Sequence, residues 1–161
     1  MLNSDIVPSA PSRPNVLRVD DTDRVLLREL IDDARIPNNA LAGRAGIAPS
    51  TCLARVRALR ESGVITGFHA HVDPELLGLG VSALVSIRVD SAARPRMREI
   101  AYAVSRLDNV VSTFLLGGER DILAYVVCSS PAELREFIST HLGANPDFVD
   151  TQTNLVFEHL E

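Results

Sequence analysis

The chain has 161 residues, 46% apolar and 23% charged, with a formal net charge of -5. That is the size and balance of one ordinary globular domain or two small ones. Aromatics make up 4% and Trp is absent, which predicts an aliphatic core and excludes nucleic-acid binding built on stacking bases against rings.

Cys52 and Cys128 stand far apart with no CxxC pair. This excludes a zinc finger and a disulfide scaffold and fits a reducing, cytoplasmic setting. Residues 1–18 show no apolar signal-peptide core, and no apolar run is long enough to span a membrane. All 16 basic residues are Arg, whose planar fork matches phosphate and guanine edges. Codon usage accounts for the total, so only a local Arg cluster carries functional weight. The net acidity runs against the basic footprint usual for a DNA binder, and acids occur in both halves.

Residues 1–18 hold Pro8, Pro11 and Pro14 among polar residues and read as a disordered leader. Asp20 and Asp21 then cap a helix carrying Leu26, Leu27, Leu30 and Ile31 at helical spacing. Pro37 stops it by about Ile36. Asn38 or Asn39 caps a second, short helix with Leu41, Ala42 and Ala45 on its apolar face, ended by Gly46. After the turn Gly46-Ile47-Ala48, Pro49 and Ser50 open a third helix, with Ser50 as its cap. Leu53, Val56 and Leu59 are assigned inward, and Gly63 closes it. Val64-Ile65 and Phe68–Val72 read as short strands of a wing around Thr66-Gly67. Asp73-Pro74 and Gly78-Gly80 mark a hinge.

The second half alternates differently: a strand at Val81–Val89, a helix at Pro95–Leu107, a strand at Val110–Leu116, a turn at Gly117–Asp121, and a buried strand at Ile122–Cys128. A helix capped by Ser130 then runs from Pro131 to Leu142, and a last strand from Val149 to Leu160. The order β-α-β-β-α-β is the ferredoxin-like unit. The expected fold is therefore α+β. Residues 1–18 form a leader, 19–73 a winged helix-turn-helix, 74–80 a hinge, and 81–161 a ferredoxin-like effector and oligomerisation domain.

The third helix is the candidate DNA reader. Ser50, Thr51, Cys52, Arg55 and Arg57 are assigned to its outward side, with Arg60 further on, and Cys52 reads more as a small filler than as a reader. Short donors near its N-terminus would touch base edges while Arg reaches bases or phosphates. Backbone N–H groups at Asn38 and Asn39 would meet a phosphate. The assignment requires guanidinium groups free of intramolecular carboxylate pairs. Without the three-helix frame, three exposed Arg would read simply as a solvated helix face.

Val19-Asp20-x-x-Asp23-x-x-Leu26-Leu27, Asp33-Ala34-Arg35, Leu41-Ala42, Ala48-Pro49-Ser50, Arg55-Val56-x-x-Leu59 and Gly63-Val64-Ile65 resemble the Lrp/AsnC family in order and spacing. So do Val72-Asp73-Pro74 and Leu77-Gly78, and the likeness covers about Val19 to Leu160. The resemblance implies a transcriptional regulator that pairs with itself, as a homodimer or a higher even-numbered assembly, and responds to an amino acid. It also implies DNA reading by Pro49, Ser50, Thr51, Cys52, Arg55 and Arg57, an ACT-like effector domain with a Gly-x-x-Asp motif at Gly118 and Asp121, and pocket hydroxyls at Thr151 and Thr153.

On the residues alone, Gly117-Gly118-Glu119-Arg120-Asp121 is a hairpin turn. Placed at a seam between chains, its N–H groups would take a carboxylate and Asp121 or Glu119 an ammonium. His69 and His71 share a strand face without a third ligand, so no metal is expected. No acid/base set for an enzyme is present. The competing functional reading is a nucleoid-type protein that bends DNA with little effector control.

Overall fold

The computed structural model describes residues 18–158 and divides into two compact units between His71 and Val72. The leader falls almost wholly outside the described residues.

The first unit is three helices: α1 (Asp21–Asp32), α2 (Asn38–Ala45) and α3 (Pro49–Glu61). Asp20 starts α1 through a reciprocal capping box. Its carboxylate accepts from the Asp23 N–H at 2.8 Å, and Asp23 accepts from the Asp20 N–H at 3.2 Å, so two otherwise orphaned donors are paired. Gly46 ends α2 at φ 67°, a left-handed geometry that glycine adopts without Cβ strain. The core joins Leu26, Ile36, Leu41, Ala42 and Cys52, with Leu30, Ile47 and Val56 packed around it.

Three local expectations are corrected. Asn38 lies inside α2, after Pro37 as N-cap, so its side chain cannot fold back to cap. Its Nδ2 instead donates to the Pro49 carbonyl at 2.9 Å, tying the start of α2 to the start of α3. Ser50 is likewise already helical, and Ala48 is the N-cap of α3. The wing strands at Val64-Ile65 and Phe68–Val72 do not form: among the described residues, 64–73 hold no ladder. A two-residue hairpin there needs positive φ at its first position, which β-branched Thr66 resists, and Gly67 is not among the positive-φ glycines. The segment folds back on α3 instead. Ile65 N–H donates to the Leu59 carbonyl, and the Arg60 guanidinium lies 5.8 Å from the centre of the Phe68 ring.

The second unit has β1 (Val81–Val89), α4 (Met97–Ser105), β2 (Val110–Leu115), β3 (Ile122–Cys128), α5 (Pro131–Phe137) and β4 (Phe148–Val156). A 3-10 turn at Arg94–Arg96 precedes α4, and a π-helical turn at Ile138–Gly143 follows α5. The strands form one antiparallel sheet in the order β2-β3-β1-β4, the ferredoxin-like topology. Ser130 caps α5 by accepting from the Glu133 N–H.

Strand alternation divides the residues between two faces. Ala83, Val85, Ile87 and Val89 of β1 and Ile122, Ala124, Val126 and Cys128 of β3 meet Ile100, Ala101 and Val104 of α4 and Leu134, Phe137 and Leu142 beyond, forming the core. The intervening Leu84, Leu123 and Tyr125, with Phe114 of β2, make up the other face. Phe114 is 52% exposed.

Candidate nucleic-acid interface and ligand loop

The charge balance of the chain is uneven. Residues 18–71 hold eight Arg against seven acids, whereas residues 72–161 hold seven Arg against thirteen. The acidity that argued against DNA binding therefore belongs to the second unit.

α3 turns Cys52, Val56 and Leu59 toward the core, with Cys52 and Leu59 at 0% exposure. Leu53 is 54% exposed. This corrects the assigned faces by one residue: Cys52 is not an outward reader, and Leu53 is not an inward anchor. Burial raises the Cys52 thiol above its ordinary range, as expected of an inert packed thiol. The outward side is Ser50, Leu53, Ala54 and Arg57, three or four residues apart, flanked by Pro49, Thr51 and Arg60. Leu53 and Ala54 were missed as surface residues. The i, i+4, i+7 spacing of Cys52, Val56 and Leu59 shows it once Cys52, as a small filler, is grouped with the inward residues.

Arg55 is a second correction. Its Nη1 donates to Asp20 at 2.7 Å and to Asp23 at 2.9 Å. Hydrogen bonds to Asp20 and then Asp23 raise the guanidinium pKa further. Asp20 is held below its ordinary 3.8, first by the Asp23 N–H and then by Arg55. Arg55 therefore fastens α3 to the capped start of α1 and is not free for a base. Arg44 is similarly paired with Glu29. Arg57 is exposed and has no ion-pair or hydrogen-bond partner among the described residues. Asn39 is exposed and Asn38 half-buried at the start of α2.

In the second unit, Asp121 is also committed. It is 6% exposed; Oδ2 accepts from the Val89 N–H at 2.8 Å, and Oδ1 pairs with Arg94 at 3.2 Å. Its backbone N–H donates to the Ile87 carbonyl. Within one chain Asp121 thus locks the loop onto the end of β1 and offers no free carboxylate to an ammonium. Arg120 bridges the loop to β4, donating to Asp150 at 2.5 Å and Gln152 at 3.2 Å. Thr151 and Thr153 pair opposite Ile87 and Val85, on the core side, whereas Asp150 and Gln152 alternate to the other side. The loop and the two hydroxyls therefore do not converge within one chain. Gly117, Gly118 and Glu119 are exposed, and a Cβ on either glycine would meet nothing within 4 Å. No set of three metal-ligating side chains occurs among the described residues.

A three-helix head followed by a ferredoxin-like sheet with an open polar loop is the architecture of a DNA-binding domain joined to a ligand-binding one. Family comparison agrees: residues 19–66 match a winged helix-turn-helix DNA-binding model, and residues 82–161 match the Lrp/AsnC ligand binding domain. The chain is 42% identical over 153 residues to the HTH-type transcriptional regulator AldR of Mycolicibacterium smegmatis, covering 95% of this chain and 90% of that protein. The crystal structure of AldR of Mycobacterium tuberculosis is similar with a TM-score of 0.75 at 39% identity, over 88% of this chain and 96% of that one. A transcriptional regulator of Neisseria meningitidis, solved as a complex with L-Met, is similar with a TM-score of 0.80 at 27% identity, over 88% and 92% of the two chains. The chain belongs to the Lrp/AsnC family. It is a transcriptional regulator with a DNA-binding and a ligand-binding domain, not an enzyme. No helix among the described residues is long and apolar enough to cross a membrane.

Proposed function

We propose that this chain is a sequence-specific regulator of double-stranded DNA whose assembly or DNA affinity changes when an amino acid binds. The observation that carries the DNA half is the free outward side of α3. Ser50 and Thr51 supply short donors, Leu53 and Ala54 apolar contacts of the kind that recognise thymine methyls, and Arg57 an unpaired guanidinium. Asn38 and Asn39 present the start of α2 to a phosphate, and Arg60 flanks the same side. The net positive balance of the first unit supports this placement.

The effector half rests on the Gly117–Asp121 loop and on the L-Met complex of the Neisseria relative. Open space at Gly117 and Gly118 lets a carboxylate approach backbone N–H groups. Because Asp121 is internally paired and the threonines face away, the pocket is completed by a second copy. The sheet face bearing Leu84, Tyr125 and Phe114 is the pairing surface: an apolar sheet face buries itself against another layer, and a two-fold pair does so symmetrically. Two heads then sit one or more helical turns apart on DNA, each turn about 34–36 Å. An effector shifts the balance by binding one assembly more tightly than another.

The test is a thermal-shift screen of the free amino acids, followed by light scattering and operator footprinting with each hit. A stabilising amino acid that changes particle size or footprint supports the reading. Discrete footprints with no response to any amino acid would leave the DNA half and remove the effector half.

A further inference from the structure

A cavity of about 280 Å³ opens on the helical side of the second unit, between α4 and the segment running from the π-helical turn into β4. None of its lining residues belongs to the Gly117–Asp121 loop, and neither Thr151 nor Thr153 reaches it. Its floor is apolar. Ile100 and Val104 are 6% and 4% exposed, and Leu107 and Phe148 pack against the same core.

The rim is charged. Arg96 Nη2 donates to both oxygens of Asp147, at 3.0 and 3.1 Å. Glu99, one turn along α4 from Arg96, lines the same cavity and has no ion-pair or hydrogen-bond partner among the described residues. Two carboxylates and one guanidinium thus line the cavity, and the guanidinium is taken by Asp147. The opposite wall carries His141, placed by the π-helical turn and set against the Phe137 ring at 5.2 Å. Such turns within helices recur at functional sites. Small-molecule pockets begin at about 300 Å³ and combine apolar walls with a few polar groups, so this cavity suits a ligand of few heavy atoms.

We propose that the cavity binds a small organic ammonium compound with a branched aliphatic body, the ammonium on Glu99 and the body on Ile100, Val104, Leu107 and Phe148. The excess carboxylate selects the cation, and the apolar floor selects the hydrocarbon. A free amine and an amino acid share this chemistry; in the latter the carboxylate faces the Arg96 edge not turned to Asp147. The site is separate from the effector loop and stands whether or not that loop binds ligand.

The test is titration of the ¹⁵N-labelled full chain with isopentylamine, L-leucine and 4-methylpentanoate, which share one branched body and differ in charge. Isopentylamine is expected to shift the amides of Ala103, Val104, Leu107 and Phe148. A matching response to L-leucine extends the site to amino acids, and its absence confines it to amines. 4-Methylpentanoate is expected to leave these amides unmoved. Glu99→Gln removes an exposed charge and should weaken isopentylamine about two- to fivefold, the range of one exposed ion pair. Ala103→Trp, at an exposed position of the cavity wall, should abolish the shifts. Equal binding of 4-methylpentanoate, silence of these amides toward isopentylamine, or an unchanged titration in Ala103→Trp would overturn the proposal.

Discussion

Arg55 on α3 donates to Asp23, a residue only 5% exposed in the first turn of α1, at 2.9 Å. Asp23 is also the acceptor that closes the capping box. One carboxylate thus ends a helix and receives the neighbouring helix, so the angle of the reading head on its support depends on it. Arg55→Ala is expected to lower the urea midpoint of the first unit in the full chain while leaving base preference unchanged. Asp23→Ala should lower the same midpoint, because it removes the acceptor that closes the capping box and one of the two carboxylates holding Arg55. Selection of preferred sites from random DNA checks the second half of the expectation; altered preference with unaltered stability would return Arg55 to the bases.

Arg57 should behave differently. It is exposed, unpaired and centred on the outward line of α3, so Arg57→Ala is expected to weaken DNA binding without moving the unfolding midpoint. If it meets a phosphate, the slope of log affinity against log salt falls by about 1 and all sequences lose alike. If it meets guanine, one position relaxes by about 1–3 kcal/mol. Leu53→Ala should leave the salt slope intact and alter preference only at thymine positions. Binding measured across a salt series with each variant separates these outcomes.

The parts legible in the sequence were those written in local chemistry. Asp20 three residues before Asp23, Gly46 after a short apolar helix, and Ser130-Pro131 before another each mark an element end through its own side chain. The alternation of Val81–Val89 and the apolar run Ile122–Cys128 sufficed for the ferredoxin-like order. The failures arose where the partner lies far along the chain or where one residue type misleads. Arg55 finds its carboxylates 32 and 35 residues away, a distance no periodicity reveals. Cys52 is the small filler and not the reader, and leaving it on the outward side rotated α3 by one residue. Asp121 is bound by Arg94 and the Val89 N–H across a strand pairing that only the sheet register supplies.

Asp121→Ala is accordingly expected to do more than silence an effector response. It leaves the Val89 N–H, at the buried end of β1, without its acceptor, and an unsatisfied buried donor costs about 1–3 kcal/mol. The second unit should unfold at lower urea, with DNA binding by the folded fraction retained. Arg94→Ala removes only the exposed partner of Asp121 and should cost less. Equal stability of Asp121→Ala and the parent chain, with ligand response lost, would show that the carboxylate serves the ligand and not the fold.

Glu133 supplies a pH dependence with a defined sign. Its carboxylate accepts from the Ser129 hydroxyl at 2.5 Å, the Ser129 N–H at 2.7 Å and Asn109 Nδ2 at 3.0 Å. The Ser129 hydroxyl, then the Ser129 N–H, then Asn109 hold it below its ordinary 4.5. Asn109 also donates to the Val127 carbonyl at 3.1 Å, so the charged form pins the start of β2 to the end of β3. A carboxyl lowered in the folded state binds its proton more weakly there than in the unfolded chain. Its stabilisation is complete above the ordinary value and is lost as pH falls through 4.5 toward the lowered one. Melting curves of the full chain should therefore show the Glu133→Gln variant less stable than the parent at neutral pH, with the gap closing as the solution is acidified through that window. A gap that stays constant with pH would mean that the glutamate acts through its shape and not through its charge.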